Sequence, residues 1–175
     1  MREKSKLTFA GLAGADPRDL KSLIAESAGP DLDSLAGSEW RGYNQPWVAR
    51  LLGIRKFIKG FFAGERDVEG YNVPVQQNGF NEPWIPKPSA ERPKRYAYYV
   101  VLQPGRAAWS RGRYAGAVLL DYGATHHGPR WGIERQLRDF LVKPDPSNPD
   151  LLLGRAYLEI GGALVPSSFF VLERI

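Results

Sequence analysis

The spacing of apolar residues changes character partway along this chain. Between Asp16 and Pro30 they recur at helical spacing, with Leu20, Leu23 and Ile24 on one face. Asp16 can accept hydrogen bonds from the exposed first-turn amides, Pro17 suits the first helical position, and Gly29-Pro30 ends the segment. A short second turn is expected around Leu32 to Leu35. From Gly37 onward the apolar residues fall into short runs separated by proline and glycine, the pattern of strands joined by turns.

These runs predict strands over residues 39–44, 55–63, 68–77, 96–103, 114–122, 137–143, 151–160 and 165–174. The stretch from Trp47 to Phe62 fits two periods. Trp47, Leu51, Ile54, Ile58 and Phe61 make a helical stripe, whereas Phe57, Phe61 and Phe62 beside Gly60 suit a strand. We expect a helix over 46–52, a hinge at Gly53 and a strand after it. Asn78-Gly79 followed by Pro83, Pro86, Pro88 and Pro93 predicts a long irregular loop, and residues 144–150 and Gly161-Gly162 predict hairpin connections. The expected fold is mainly β, a roughly eight-stranded antiparallel barrel over residues 37–175 behind a helical segment over 1–36. Eight strands are the number at which a closed sheet can hold one small ligand. The run Tyr96-Ala97-Tyr98-Tyr99-Val100-Val101-Leu102 is apolar at both parities, so its outer face is either covered by the N-terminal helices or forms a binding surface.

The junction Gly37-Ser38-Glu39-Trp40-Arg41-Gly42 and the terminal Arg174 resemble the anchors of the calycin superfamily, the lipocalins and their intracellular relatives. The first stretch is also similar, loosely, to bacterial GXWXG-type domains. Calycins carry Gly-x-Trp on the first strand and an arginine or lysine on the last. The chain departs from this pattern by one extra residue between Gly37 and Trp40 and has no recognisable middle motif. The resemblance implies that Trp40 and Arg174 stack to close one end of a barrel, and that the interior takes a small hydrophobic molecule.

Composition narrows the alternatives. Among 175 residues there is no cysteine, and the first ten residues are charged with no apolar run behind them, so a cytoplasmic protein is expected. The net charge of +5 is spread over several loose groups, including Arg50, Arg55, Lys56 and Lys59. We read these as surface charge, and with no accompanying nucleic-acid motif no nucleic-acid partner is expected. The same residues, interleaved with the aromatics of Trp47 to Phe62, suggest at most a weak contact with an anionic membrane.

His126 and His127 are the two histidines, set in the loop after Asp121-Tyr122. At a barrel mouth this loop could move protons, so His126, His127 and Tyr122 are the catalytic candidates, weighed against an ordinary exposed loop. Adjacent residues point apart, so no metal site and no cofactor is expected. Ser167-Ser168 lack a nucleophile elbow, and Gly161-Gly162 opens no phosphate-binding helix. Tyr98, Tyr114, Tyr122, His126 and Phe169 are the expected ligand-lining residues, since tyrosine gives a greasy pocket one orienting hydroxyl. Parity sends Arg155 outward, away from the site. The expected function is binding of a fatty acid, isoprenoid or polyketide-like molecule. The alternative is an isomerase or cyclase on the same barrel, and the third reading is a membrane-associated interaction protein without a cavity.

Overall fold

The computed structural model describes residues 6–45, 53–103 and 114–175. Three helices, α1 (Phe9–Ala13), α2 (Pro17–Glu26) and α3 (Leu32–Leu35), precede eight strands. These are β1 (Glu39–Asn44), β2 (Lys56–Ala63), β3 (Val68–Pro74), β4 (Tyr96–Leu102), β5 (Val118–Asp121), β6 (Leu137–Val142), β7 (Leu151–Ile160) and β8 (Ala163–Arg174). Each strand pairs antiparallel with its chain neighbours, and β8 returns to pair with β1 from Trp40↔Arg174 to Asn44↔Phe170. The sheet therefore closes and leaves no edge strand to recruit another chain. The expected mainly β barrel with N-terminal helices is the observed fold.

The two apolar parities have separate destinations. One faces the interior, where Trp40, Phe57, Phe61, Tyr99, Val101, Leu120, Leu141, Leu152, Phe170 and Leu172 pack into one buried cluster. The other forms the outer wall of β5 to β8, where Leu119, Phe140, Val142, Leu151, Leu153, Phe169 and Val171 are buried against Phe9, Leu12, Leu20 and Ile24 of α1 and α2. The Asp16 side chain accepts from Arg18 N and starts α2 as expected. The outer face of β2 and β3 carries a smaller cluster of Ile58, Tyr71, Val73 and Val75, against which Trp84 from the 75–95 connection packs.

Several boundaries differ from expectation for local reasons. β3 stops at Pro74, which has no amide to donate to the ladder. The Gln77 side chain then stands in for backbone, accepting from Arg55 N and Lys56 N and donating to Lys56 O. β5 begins at Val118 rather than Tyr114, because Gly116 docks on the end of the helical segment, its carbonyl accepting from Gly29 N at 2.6 Å. A Cβ on Gly29 would stand 2.8 Å from Val118 N, so this approach needs glycine. α1, a single turn capped by Thr8, was not expected. The expected helix over 46–52 lies outside the described residues. The β7–β8 turn places Gly161 and Gly162 at φ +58° and +82°, the geometry of a tight two-residue hairpin.

Candidate ligand site in the barrel

One end of the barrel is sealed. The Arg174 guanidinium lies 4.4 Å from the centre of the Trp40 ring, and Trp40 Nε1 donates to Ser38 Oγ at 2.7 Å. Ser38 in turn donates to Leu35 O, which fixes α3 over the opening. The connections 75–95, 122–136 and 161–162 leave the barrel at the opposite end, where β1 also ends and β2 begins.

Inside the apolar interior sits one polar cluster. Lys59 on β2 shares the inward parity of Phe57 and Phe61, and Asp139 on β6 shares that of Leu137 and Leu141. Lys59 and Asp139 are 2% and 4% exposed. Lys59 Nζ donates to Asp139 Oδ2 at 3.2 Å, to Asn72 Oδ1 at 3.1 Å and to Tyr122 OH at 2.5 Å. Tyr122 OH donates onward to Asp139 Oδ2 at 2.9 Å, and Asn72 Nδ2 is held by Ala97 O. The ammonium is bounded by the rings of Tyr99, Tyr122 and Phe170 at 4.8, 5.2 and 5.3 Å.

Burial works against both charges. It pulls the Lys59 ammonium below its ordinary pKa, opposed by the facing Asp139 carboxylate. It pushes Asp139 above the usual carboxylate range, opposed by Lys59 and by the Tyr122 hydroxyl. Burial also raises Tyr122 and Tyr99 well above the ordinary phenol pKa, so both stay protonated donors. Asp139 Oδ1 is buried without a hydrogen-bond partner among the described residues. An unsatisfied buried carboxylate oxygen costs on the order of 1–3 kcal/mol or more, so a donor reaching it would be rewarded. Hydrogen bonds run without a break from Lys59 through Tyr122 to Asp139.

The structure distributes the sequence-predicted residues over three places. Tyr122 is inside, at the centre of the cluster. Phe169 and Tyr114 lie on the outer wall beneath the helices, where Tyr114 packs on Phe140 and its hydroxyl meets that of Tyr157 at 2.9 Å. Tyr98 also faces outward, 6.1 Å from the Tyr71 ring and 5.1 Å from His127. The loop after Tyr122 folds back along the outside of the barrel, so His127 pairs with Glu69 at 3.1 Å while half its side chain stays exposed. His126 borders a surface hollow of about 470 Å³ with Thr125, Gly128, Arg130, Trp131 and Arg135. Arg155 points outward as expected, 4.0 Å from the Phe169 ring.

Lys59, Asp139 and Asn72 are not among the residues the sequence singles out for the site, and Lys59, expected as surface charge, is instead buried in the interior. The signal was present: a lysine at the parity of two phenylalanines, and an aspartate between Leu137 and Leu141 at the parity of both. Phe57 and Phe61 of the segment considered for membrane contact are interior residues. A second hollow of about 310 Å³ lies outside, under α1. There the chain's own Arg41 fills the aromatic box, 4.8 Å from the Phe9 ring and 5.0 Å from that of Trp84, and pairs with Glu173. Among the described residues no three His, Cys, Asp or Glu side chains gather as a metal site, and no helix is long and apolar enough to cross a membrane.

Together these features define a closed antiparallel barrel with a buried lysine–tyrosine–aspartate cluster and one sealed end. The chain matches no protein-family model, no curated protein and no solved structure.

Proposed function

We propose that the protein is a calycin-like carrier that binds a small, mainly apolar molecule, of fatty-acid, isoprenoid or polyketide-like character, inside the barrel. The observation that carries this reading is the orphaned Asp139 Oδ1 beside Lys59, Tyr122 and Asn72 in an otherwise apolar interior. A hydroxyl on the guest would satisfy that oxygen. Burial of the guest's apolar body would supply affinity at about 25 cal/mol per Å². The Trp40–Arg174 closure supports the calycin comparison, and the lack of cysteine supports a cytoplasmic location.

Native mass spectrometry of protein purified from its own host tests the reading. Wild-type protein carries a small non-covalent adduct, and the K59M/D139L variant, verified as folded by its melting transition, loses it. Wild-type protein free of any adduct, or an adduct undiminished in the double variant, ends the proposal.

A second reading, an isomerase or cyclase on the same barrel, rests on Tyr122 OH lying between Lys59 Nζ at 2.5 Å and Asp139 Oδ2 at 2.9 Å. Tyr122 with its two neighbours, rather than His126 or His127, would then carry acid–base chemistry. Under this reading Y122F still binds the host-derived molecule but no longer converts it.

A further inference from the structure

The interior cluster contains one group whose chemistry goes beyond hydrogen bonding, the primary amine of Lys59. Lys59 is 2% exposed, and its Nζ is bounded by the rings of Tyr99, Tyr122 and Phe170 at 4.8, 5.2 and 5.3 Å. Its polar neighbours are Tyr122 OH at 2.5 Å, Asn72 Oδ1 at 3.1 Å and Asp139 Oδ2 at 3.2 Å. Asn72 lies near the end of β3, Tyr122 directly follows β5, and Asp139 is near the start of β6. In an all-antiparallel barrel these are the strand ends away from the Trp40–Arg174 closure.

A lysine–aspartate pair kept only for stability does best when both carboxylate oxygens are satisfied, because desolvation offsets so much of the attraction. Here Asp139 Oδ1 has no hydrogen-bond partner among the described residues. Burial favours the neutral form of each group, the free amine and the carboxylic acid. An amine that can shed its proton onto an adjacent carboxylate, between aromatic walls, is a nucleophile toward a carbonyl carbon. The second oxygen of that carboxyl is left to meet the hydroxyl that such an attack creates.

We propose that Lys59 forms an imine with an aldehyde or ketone group of the molecule held in the barrel, with Asp139 as counter-ion and Tyr122 as the proton relay between them. This rests on the carrier reading above and names its guest more closely, as a carbonyl compound with an apolar body. The Lys59 ammonium passes a proton to Asp139, and the freed nitrogen lone pair bonds the carbonyl carbon while the C=O pair moves to oxygen. A proton then shifts from nitrogen to that oxygen, giving a hydroxyl. Asp139 returns its proton through Tyr122, the hydroxyl leaves as water, and nitrogen closes the C=N bond. The product is a protonated imine beside the Asp139 carboxylate, so the interior gains no net charge. Hydrolysis reverses the same steps and releases the guest.

The test treats the full chain with decanal near neutral pH and traps the imine with sodium cyanoborohydride, which reduces it to a stable secondary amine. Intact mass spectrometry and proteolytic mapping locate the decyl group. Lys59 is expected to label about tenfold or more faster than the exposed lysines, because a water-exposed amine is almost wholly protonated at that pH. Y122F, verified as folded by its melting transition, labels Lys59 several-fold more slowly while binding 1-decanol as the wild type does. K59M/D139L shows only the slow labelling of exposed lysines. Native mass spectrometry with 1-decanol, which can fill the barrel but cannot condense, separates this proposal from the carrier reading. A decanol adduct without decyl label on Lys59 overturns the imine and leaves the carrier standing. Neither adduct nor label overturns both, and equal Lys59 labelling rates in wild type and Y122F overturn the relay.

Discussion

Arg174 on the last strand and Trp40 on the first are register partners, and the guanidinium carbon of one lies 4.4 Å from the ring centre of the other. The contact joins the strand that opens the barrel to the strand that closes it. Arg174 also reaches Asp150 at 2.8 Å and the Ser34 carbonyl, so it links the sheet seam to α3 and to the β6–β7 connection. Sequence separation makes this closure costly to form and cooperative once formed.

The first prediction weighs that closure. The Asp150 side chain is 57% exposed and that of Arg174 30%, so the ion pair itself contributes little after solvent screening. Truncating Arg174 to Ala is expected to cost about 0.5–1.5 kcal/mol, mainly through lost stacking. Truncating the 1% exposed Trp40 costs more, about 3–5 kcal/mol, because it empties a packed position. Urea denaturation of the two single variants and the double variant measures their coupling. A coupling near zero would show that the indole seals this end without help from the cation.

The barrel's layout was legible because each strand is bounded by residues with a backbone reason to be there. Gly161-Gly162 marks the β7–β8 turn and the proline-rich 144–150 stretch separates β6 from β7, whereas the strand expected over 68–77 runs past Pro74, where β3 ends. Parity also read correctly for β7, where Leu152, Gly154 and Ala156 face in and Arg155 faces out. The site was less legible. Residue type alone favours tyrosines as lining groups, but Tyr98 and Tyr114 fall on the outer parity, which type does not reveal. The 122–136 loop was expected at the mouth. Its return along the outer wall depends on the His127–Glu69 pair and the Tyr98 ring, which are tertiary partners far apart in sequence. The Lys59–Asp139 pair joins β2 to β6, and nothing local to either strand announces the other.

The second prediction follows from that pair. A buried ion pair loses most when one partner is removed, because the survivor keeps its desolvation cost without compensation. Lys59→Met or Asp139→Leu alone is expected to destabilise by about 3–5 kcal/mol. The K59M/D139L double variant replaces both with apolar groups of similar size and is expected to be near neutral, within about 1–2 kcal/mol of wild type or above it. Thermal and urea unfolding of the four proteins gives the cycle. Additive losses in the double variant would mean that the two groups do not compensate each other.

The third prediction concerns pH. Asp139 titrates higher in the folded than in the unfolded chain, so just above the ordinary carboxylate pKa the folded state retains a proton that the unfolded state has released. Stability from this group is present at lower pH and is lost as pH rises through its folded pKa. Lys59 titrates lower in the folded chain, so just below the ordinary lysine pKa the unfolded state holds the extra proton. Its contribution is present at high pH and is lost as pH falls through the folded pKa. Relative to K59M/D139L, the wild type is therefore expected to be least favoured at intermediate pH and to gain toward both ends. In K59M the carboxyl loses its counter-charge, so its penalty shrinks on acidification. Urea midpoints across the pH range read both trends, and a K59M penalty independent of pH would contradict the assignment.

The last prediction tests how tightly the interior is filled. Gly154 on β7 and Phe170 on β8 are register partners, and a Cβ on Gly154 would stand 2.0 Å from Phe170 Cζ. The ring lies flat across the glycine and is 2% exposed. On its far side the Phe57 ring meets it edge-on at 6.0 Å, and Phe57 itself covers Gly42, where an added Cβ would fall 2.3 Å from the ring. Gly42 and Gly154 thus each leave space for a ring, and the two rings pack on one another across the barrel. Gly154→Ala should force Phe170 toward Phe57 and the Lys59 ammonium, which lies 5.3 Å from the Phe170 ring. Overpacking of this kind costs about 1–3 kcal/mol. Phe170→Leu in the same chain should recover part of that loss by removing the atoms that clash, although Phe170→Leu alone destabilises. Opposite signs for Phe170→Leu in the wild-type and Gly154→Ala backgrounds, measured by urea denaturation, would establish the ring-over-glycine contact. Equal losses in both would show that the ring has room to move aside.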